Sequence, residues 1–135
     1  MTVVTPVLVL DASVGVKWLR DEVGSVEARA LLERHSTGEI QLVAPVIFIH
    51  EVLDVARRLY GVDAAAGLGK RLSKDEIIIV GLDAGLTDST LQMCRDLGCT
   101  FYDAAAPALA RRLDATLVSA DRAAHGCYEG VSLLG

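Results

Sequence analysis

The stretch Val7–Leu19 reads VLVLDASVGVKWL, and it contains the pattern that decides the fold. The apolar run Val7–Leu10 ends at Asp11, and a helical pattern follows from Ser13 to about Arg20. A short apolar run that ends at a polar residue and leads into a helix is typical of a buried strand in a parallel sheet. The stretch therefore predicts the first strand–helix unit of an α/β domain.

The same alternation of strand and helix continues along the chain. Further strands are predicted at Gln41–Ala44, Glu76–Val80, Ala115–Ser119 and Val131–Leu134, with a short extended piece or a loop at Thr100–Tyr102. Helices are predicted at Val26–Ser36, from Pro45 to Tyr60, from Asp63 to Leu72, from Thr87 or Asp88 to Leu97, from Asp103 to Leu113, and around His125. This order predicts one α/β domain over residues 1–135, with a mostly parallel central sheet and helices on both faces.

Length and composition limit the class of protein. The chain has 135 residues, of which 52% are hydrophobic and 23% charged, so it is long enough for one buried core and too apolar to be disordered. No apolar segment approaches the roughly 18 residues that a membrane helix needs. The N-terminal segment has no basic region before its apolar run, so a signal peptide is not expected and the predicted compartment is the cytoplasm.

The charge balance argues against a general nucleic-acid surface. Thirteen basic side chains stand against 18 acidic ones, which gives a formal net charge of −5. A chain this acidic has no overall basic footprint for nucleic acid. Any contact with nucleic acid must therefore use a local basic patch or bound metal ions.

Four acids are placed where they could share one cleft. Asp11 and Asp121 each follow a predicted strand, Asp103 opens a helix, and Glu51 lies one and a half turns into the helix after Pro45. Parallel sheets bind ligands at the carboxyl ends of their strands, so these side chains are expected to converge. The alternative is that each Asp only caps a helix and that Glu51 is a solvated helix residue.

Four ionised carboxylates in one cleft require compensation. At about 5 Å and an effective dielectric constant of about 20, each pair repels by roughly 3 kcal/mol. Either some of the carboxylates take up protons or cations bind among them. Oxygen ligands favour Mg²⁺ or Mn²⁺ over zinc, and such a site suits hydrolysis of phosphodiester bonds.

These residues resemble the PIN-domain family and, within it, the VapC-type toxins of toxin–antitoxin pairs. The resemblance is carried by VLDASVGVKWL at 9–19, APVIFIHEVLDVARRL at 44–59 and TFYDAAAPALARRLDATLVSADRAA at 100–124. It implies a Mg²⁺- or Mn²⁺-dependent endoribonuclease with an RNA substrate, a VapB-like antitoxin as partner and a homodimeric assembly. It also implies that the metal-binding and catalytic acids are Asp11, Glu51, Asp103 and Asp121. The alternative is a non-catalytic PIN-like scaffold that binds a protein partner.

Neighbouring residues add supporting candidates and two departures from the family. Ser13 either caps the first helix or holds Asp11 or a metal-bound water, and the Ser119 hydroxyl is a candidate partner of a site carboxylate or water. Asp54 stands where the family commonly has Asn, and it either adds charge to the site or turns outward. Pro107 is expected to cost one hydrogen bond and to shift the start of its helix. The histidines lie at no metal-like spacing, so zinc is not expected.

Overall fold

A five-stranded sheet forms the centre of the computed structural model, which describes residues 4–73 and 77–135. The strands are β1 (Val7–Leu10), β2 (Gln41–Pro45), β3 (Ile78–Val80), β4 (Thr116–Ser119) and β5 (Val131–Leu133). They lie in the order β3-β2-β1-β4-β5, and every neighbouring pair is parallel. The chain therefore builds outward from β1 to one edge and then from β4 to the other. The strand order reverses between β1 and β4, and this is where a parallel sheet opens a binding crevice.

Helices cover both faces of the sheet, as the sequence predicts. They are α1 (Ala12–Val16), α2 (Ser25–Ser36), α3 (Val46–Tyr60), α4 (Val62–Arg71), α5 (Ala84–Leu97), α6 (Phe101–Leu113) and α7 (Arg122–His125). Neighbouring strand residues point to opposite faces, so Leu10 joins an apolar cluster with Phe48 of α3, and Val9 joins a second cluster with Leu109 of α6. A strand buried on both faces has to be apolar throughout, which explains the run VLVL.

Several element boundaries differ from the prediction. The extended piece predicted at Thr100–Tyr102 is wrong, because the Thr100 hydroxyl accepts a hydrogen bond from the Asp103 N–H at 3.1 Å and α6 begins at Phe101. The first turn of α5 starts at Ala84, since the Asp83 carboxylate caps that helix by accepting from the Leu86 N–H at 2.7 Å.

The remaining points of comparison with the prediction are the end of α1, the start of the third strand and the position of Pro107. The first helix, α1, ends at Val16, short of the predicted Arg20. Glu76, predicted to open the third strand, lies outside the described residues. Pro107 lies inside α6 and is buried, and the helix continues past it to Leu113.

No helix within residues 4–73 and 77–135 combines the length and apolar composition that a membrane crossing requires.

Gly15 allows α1 to pack closely against α3. A Cβ atom at this position would lie 2.6 Å from Cγ2 of Val52 and 2.7 Å from Cζ of Phe48, and both of those side chains are buried. Trp18 extends the same contact with an edge-to-face packing on Phe48, at 5.7 Å between ring centroids. Asp11 directly precedes α1, and Glu51 lies in α3. This close contact therefore fixes the distance between those two acids.

We expect Gly15→Ala to destabilise the protein by about 1–3 kcal/mol, since the added methyl group overpacks a buried helix contact. Gly67→Ala on α4 is the matched control, because a Cβ atom there meets nothing within 4 Å. The control should be neutral or stabilising by up to about 1 kcal/mol, the usual gain of Ala over Gly in a helix. Urea denaturation of both variants measures the difference, and equal stabilities would contradict the proposed close contact.

Candidate active site

Asp11 occupies the carboxyl end of β1 at the point where the strand order reverses. Its Oδ2 accepts a hydrogen bond from the Ser13 N–H at 3.0 Å, so Asp11 is the N-cap of α1 and the alternative of a Ser13 cap is wrong. Its own N–H donates to the Val118 carbonyl of β4 at 3.0 Å. The Asp11 side chain is only 12% exposed. One carboxylate oxygen is thus used by the backbone, while the position of the whole group is fixed by both central strands.

The pKa of Glu51 reflects its burial and the charges around it. Burial, followed by the negative charges of Asp11 and Asp103, raises the pKa of Glu51 from 4.5 to about 7, against an opposing contribution from His125. Glu51 and Asp11 also line one crevice, together with Tyr102 from α6. The fold therefore brings three of the four predicted acids into electrostatic contact, from three separate parts of the chain.

Asp121 lies at the end of the neighbouring strand and plays a second role there. Its Oδ1 accepts from the Ala124 N–H at 3.0 Å, which makes it the N-cap of α7. Its charge is not among the causes of the raised pKa of Glu51. In the part of the chain that the structure describes, no three His, Cys, Asp or Glu side chains are grouped closely enough to hold one metal ion. Three acids thus interact, and Asp121 stands beside them at the next strand end.

The chemistry of these side chains fits a cation with oxygen ligands. Asp11 and Asp121 each commit one oxygen to a helix N-terminus, and the cap of each leaves the other oxygen for a ligand. Carboxylate oxygens are the ligands preferred by Mg²⁺ and Mn²⁺. A divalent cation would also offset the repulsion that raises the pKa of Glu51. The donor chemistry of these acids therefore suits such an ion, although the described side chains are not already arranged around one.

Two serines tie the ends of β1 and β4 together. The Ser119 hydroxyl is fully buried and accepts from the Asp121 N–H at 3.0 Å. The Ser13 hydroxyl accepts from the Ala120 N–H at 2.9 Å and lies 3.4 Å from the Ser119 hydroxyl. These hydroxyls fix the backbone that presents Asp11 and Asp121, so both serines hold the site through the loop that follows β4.

His125 belongs to the site, and sequence reasoning missed this. The ring is fully buried, with Nδ1 at 2.6 Å from the Ser119 hydroxyl and Nε2 at 2.6 Å from the Asp103 carbonyl. Its Nε2 also lies 4.0 Å from the Asp11 carboxylate. His125 lies at no metal-like spacing from another histidine, so the sequence pattern carries no signal for it. Because Asp103 lies 22 residues away, no local pattern could have revealed the contact.

Asp54 turns away from the site. Its carboxylate is exposed and pairs with Arg57 at 2.9 Å and with Arg58 at 3.5 Å on the outer face of α3. A hydrogen bond from Arg57 lowers the pKa of Asp54, so the group stays ionised. Of the two alternatives drawn from the sequence, the outward one holds, because two arginines one turn further along the helix attract the carboxylate. Asp54 is therefore not a supporting residue of the site.

The raised pKa of Glu51 predicts a pH-dependent stability. Between pH 4.5 and about 7 the folded protein binds this proton more tightly than the unfolded chain does, so stability falls as the pH rises through that range. Glu51→Gln removes the ionisation. In a chelating buffer, we expect its stability relative to wild type to be higher at pH 8 than at pH 5, by on the order of 1 kcal/mol after allowance for solvent screening.

Urea denaturation at both pH values measures this change. Asp54→Asn is the matched control on the same helix, because the pKa of Asp54 is lowered and its titration is complete well below pH 5. An equal effect of Glu51→Gln on stability at pH 5 and pH 8 would show that the pKa of Glu51 is not raised in the folded protein.

Comparison with known proteins agrees with this architecture. A family model described as the PIN domain matches residues 8–126. A search of curated proteins gave no significant match.

Solved structures of low sequence identity share the fold. VapC20 of Mycobacterium tuberculosis, a toxin that cleaves the sarcin–ricin loop, superposes with a TM-score of 0.74 at 12% identity, over 95% of this chain and 99% of its own. VapBC2 from Rickettsia felis, bound to a DNA fragment from its promoter, gives 0.73 at 12% identity, over 96% and 99%. A toxin–antitoxin complex from Klebsiella pneumoniae gives 0.71 at 15% identity, over 93% and 95%. With the family model covering most of its length, the chain belongs to the PIN-domain family.

Proposed function

We propose that the protein is a Mg²⁺- or Mn²⁺-dependent endoribonuclease that hydrolyses RNA phosphodiester bonds as the toxin of a VapBC-type pair. The observation that carries the proposal is the gathering of Asp11, Glu51 and Asp103 at the carboxyl end of the sheet, where burial and the charges of the other two acids raise the pKa of Glu51. A cluster of partly buried acids with a shifted pKa at the strand ends of a parallel sheet is typical of a functional site. Asp121 is the fourth member of the proposed set.

Each of the four proposed site acids would have a defined role in the reaction. A cation held by Asp11, Glu51, Asp103 and Asp121 would supply positive charge for the phosphate and a polarised attacking water. Asp11 and Asp121 are anchored by helix N-termini, so their free oxygens keep a fixed direction. Without the cation, Glu51 changes its protonation state close to neutral pH, so binding of the cation at that pH would release the Glu51 proton.

An antitoxin partner fits the charge of the site. The structural neighbours include a toxin–antitoxin complex and a VapBC pair, which supports a VapB-like antitoxin as the partner of this chain. An Arg or Lys side chain from such a partner would pair with the carboxylates and compete with the cation. The family resemblance further supports a homodimer, and we also propose that the protein acts on its RNA substrate in the cytoplasm.

A non-catalytic scaffold is the second candidate. The observation that favours it is that the described side chains include no group of three already arranged around one ion. In this case the PIN fold would serve only to bind a partner protein, and the acids would act as helix caps. Binding of a cation distinguishes the two candidates.

Removing single acids should abolish cleavage. We expect Asp11→Asn, Asp103→Asn and Asp121→Asn each to lower the rate of RNA cleavage in Mg²⁺ at least about a hundredfold, the usual loss when a group that stabilises transition-state charge is removed. Asp54→Asn, on the outer face, should cleave at nearly the wild-type rate. The assay is cleavage of total RNA followed by sequencing of the new ends. Wild-type cleavage by Asp11→Asn would refute the proposed site.

Mn²⁺ should stabilise the folded protein. Binding only to the folded state adds about 2.7 kcal/mol at a concentration a hundred times the Kd, which raises the melting temperature by several degrees. Thermal denaturation with and without Mn²⁺ measures the shift. Asp103→Asn should lose the shift and Asp54→Asn should keep it. A wild-type protein whose melting temperature does not rise would favour the scaffold.

A further inference from the structure

Pro107 leaves a gap in the hydrogen bonding of α6. In an α-helix each N–H donates to the carbonyl four residues earlier, so the partner of residue 107 is the Asp103 carbonyl. Proline has no N–H and cannot make this bond. The three residues after Asp103, which are Ala104, Ala105 and Ala106, are all buried, so this turn of α6 faces the interior. A partly buried carbonyl that has lost its usual helical donor needs another one.

The His125 ring occupies the place of the missing donor. Its Nε2 lies 2.6 Å from the Asp103 carbonyl oxygen, and a carbonyl can only accept, so Nε2 carries the hydrogen. In the neutral ring Nδ1 is then an acceptor, and the Ser119 hydroxyl at 2.6 Å donates to it. The same hydroxyl oxygen accepts from the Asp121 N–H. Every donor in this chain of hydrogen bonds has an acceptor.

We infer that His125 is a positioning residue whose Nε2–H replaces the N–H that Pro107 lacks, and which thereby locks Asp103 to the segment that carries Asp121. The contact joins α6, which carries Asp103, to α7, whose N-cap is Asp121. Its role in cation binding rests on the proposed function, whereas the hydrogen bond itself does not. Because Asp103 is held through its main chain, its carboxylate remains available to a ligand.

The pairing of proline with histidine gives a specific test. Replacing Pro107 with Ala supplies a backbone N–H that reaches the Asp103 carbonyl within the helix, so the His125 donor becomes redundant. His125→Phe removes the donor while keeping a buried ring of similar size. If the two residues act on one carbonyl, the effects of these substitutions cannot be additive.

The experiment is a double-mutant cycle read by Mn²⁺ titration. We expect His125→Phe to weaken Mn²⁺ binding at least about tenfold, the usual cost of losing a residue that orients a metal ligand. In the Pro107→Ala background the same substitution should cost less than about threefold. An equal loss in both backgrounds would mean that the effect of His125 does not depend on the N–H that Pro107 lacks, and the inference would be wrong.

Two further readouts separate this inference from the proposed function. The urea midpoints of the four proteins, measured without metal, should show the same non-additivity even if wild type binds no Mn²⁺ and the nuclease proposal fails. Long-range ¹H–¹⁵N spectra of the wild-type protein at pH 8 should show His125 protonated at Nε2. Protonation at Nδ1 alone would overturn the inference, even if no His125 variant folds. Absence of RNA cleavage with a protonated Nε2 would instead refute only the proposed function.

Discussion

Mutual repulsion among acids at the carboxyl end of the sheet is the constraint on which this structure depends. Asp11, Glu51 and Asp103 come from three parts of the chain, and burial together with the charges of the other two acids raises the pKa of Glu51 to about 7. Unaided, such charges would move apart. They stay together because two apolar clusters hold the helices against the sheet, and because α1 and α3 meet closely at Gly15. The core therefore supplies the free energy that keeps the site under electrostatic strain.

Helix capping and site chemistry use the same residues. Asp11 and Asp121 satisfy backbone N–H groups at the starts of α1 and α7, as capping residues do. This role does not compete with ligand binding, since each carboxylate has a second oxygen. Capping instead fixes the direction of each acid before any ligand arrives. Capping is therefore compatible with the proposed ligand role of these two residues.

Much of the architecture could be predicted from local sequence patterns. The bounds of β1 follow from its apolar run, and the parallel sheet follows from the alternation of strands with helices. The candidate acids could also be found, because a polar residue directly after a buried strand must lie at the strand-end edge of the sheet. Such features are predictable because each depends on neighbours within a few residues.

The sequence by itself thus determined the fold class, the position of Asp11 and the set of candidate acids. Only the tertiary structure decided that His125 contacts the Asp103 carbonyl, that Asp54 turns outward to two arginines, and that α6 passes through Pro107. The physical reason is distance along the chain. Hydrophobic periodicity and capping act over a few residues, whereas a hydrogen bond between residues 22 positions apart exists only after the sheet has brought their elements together.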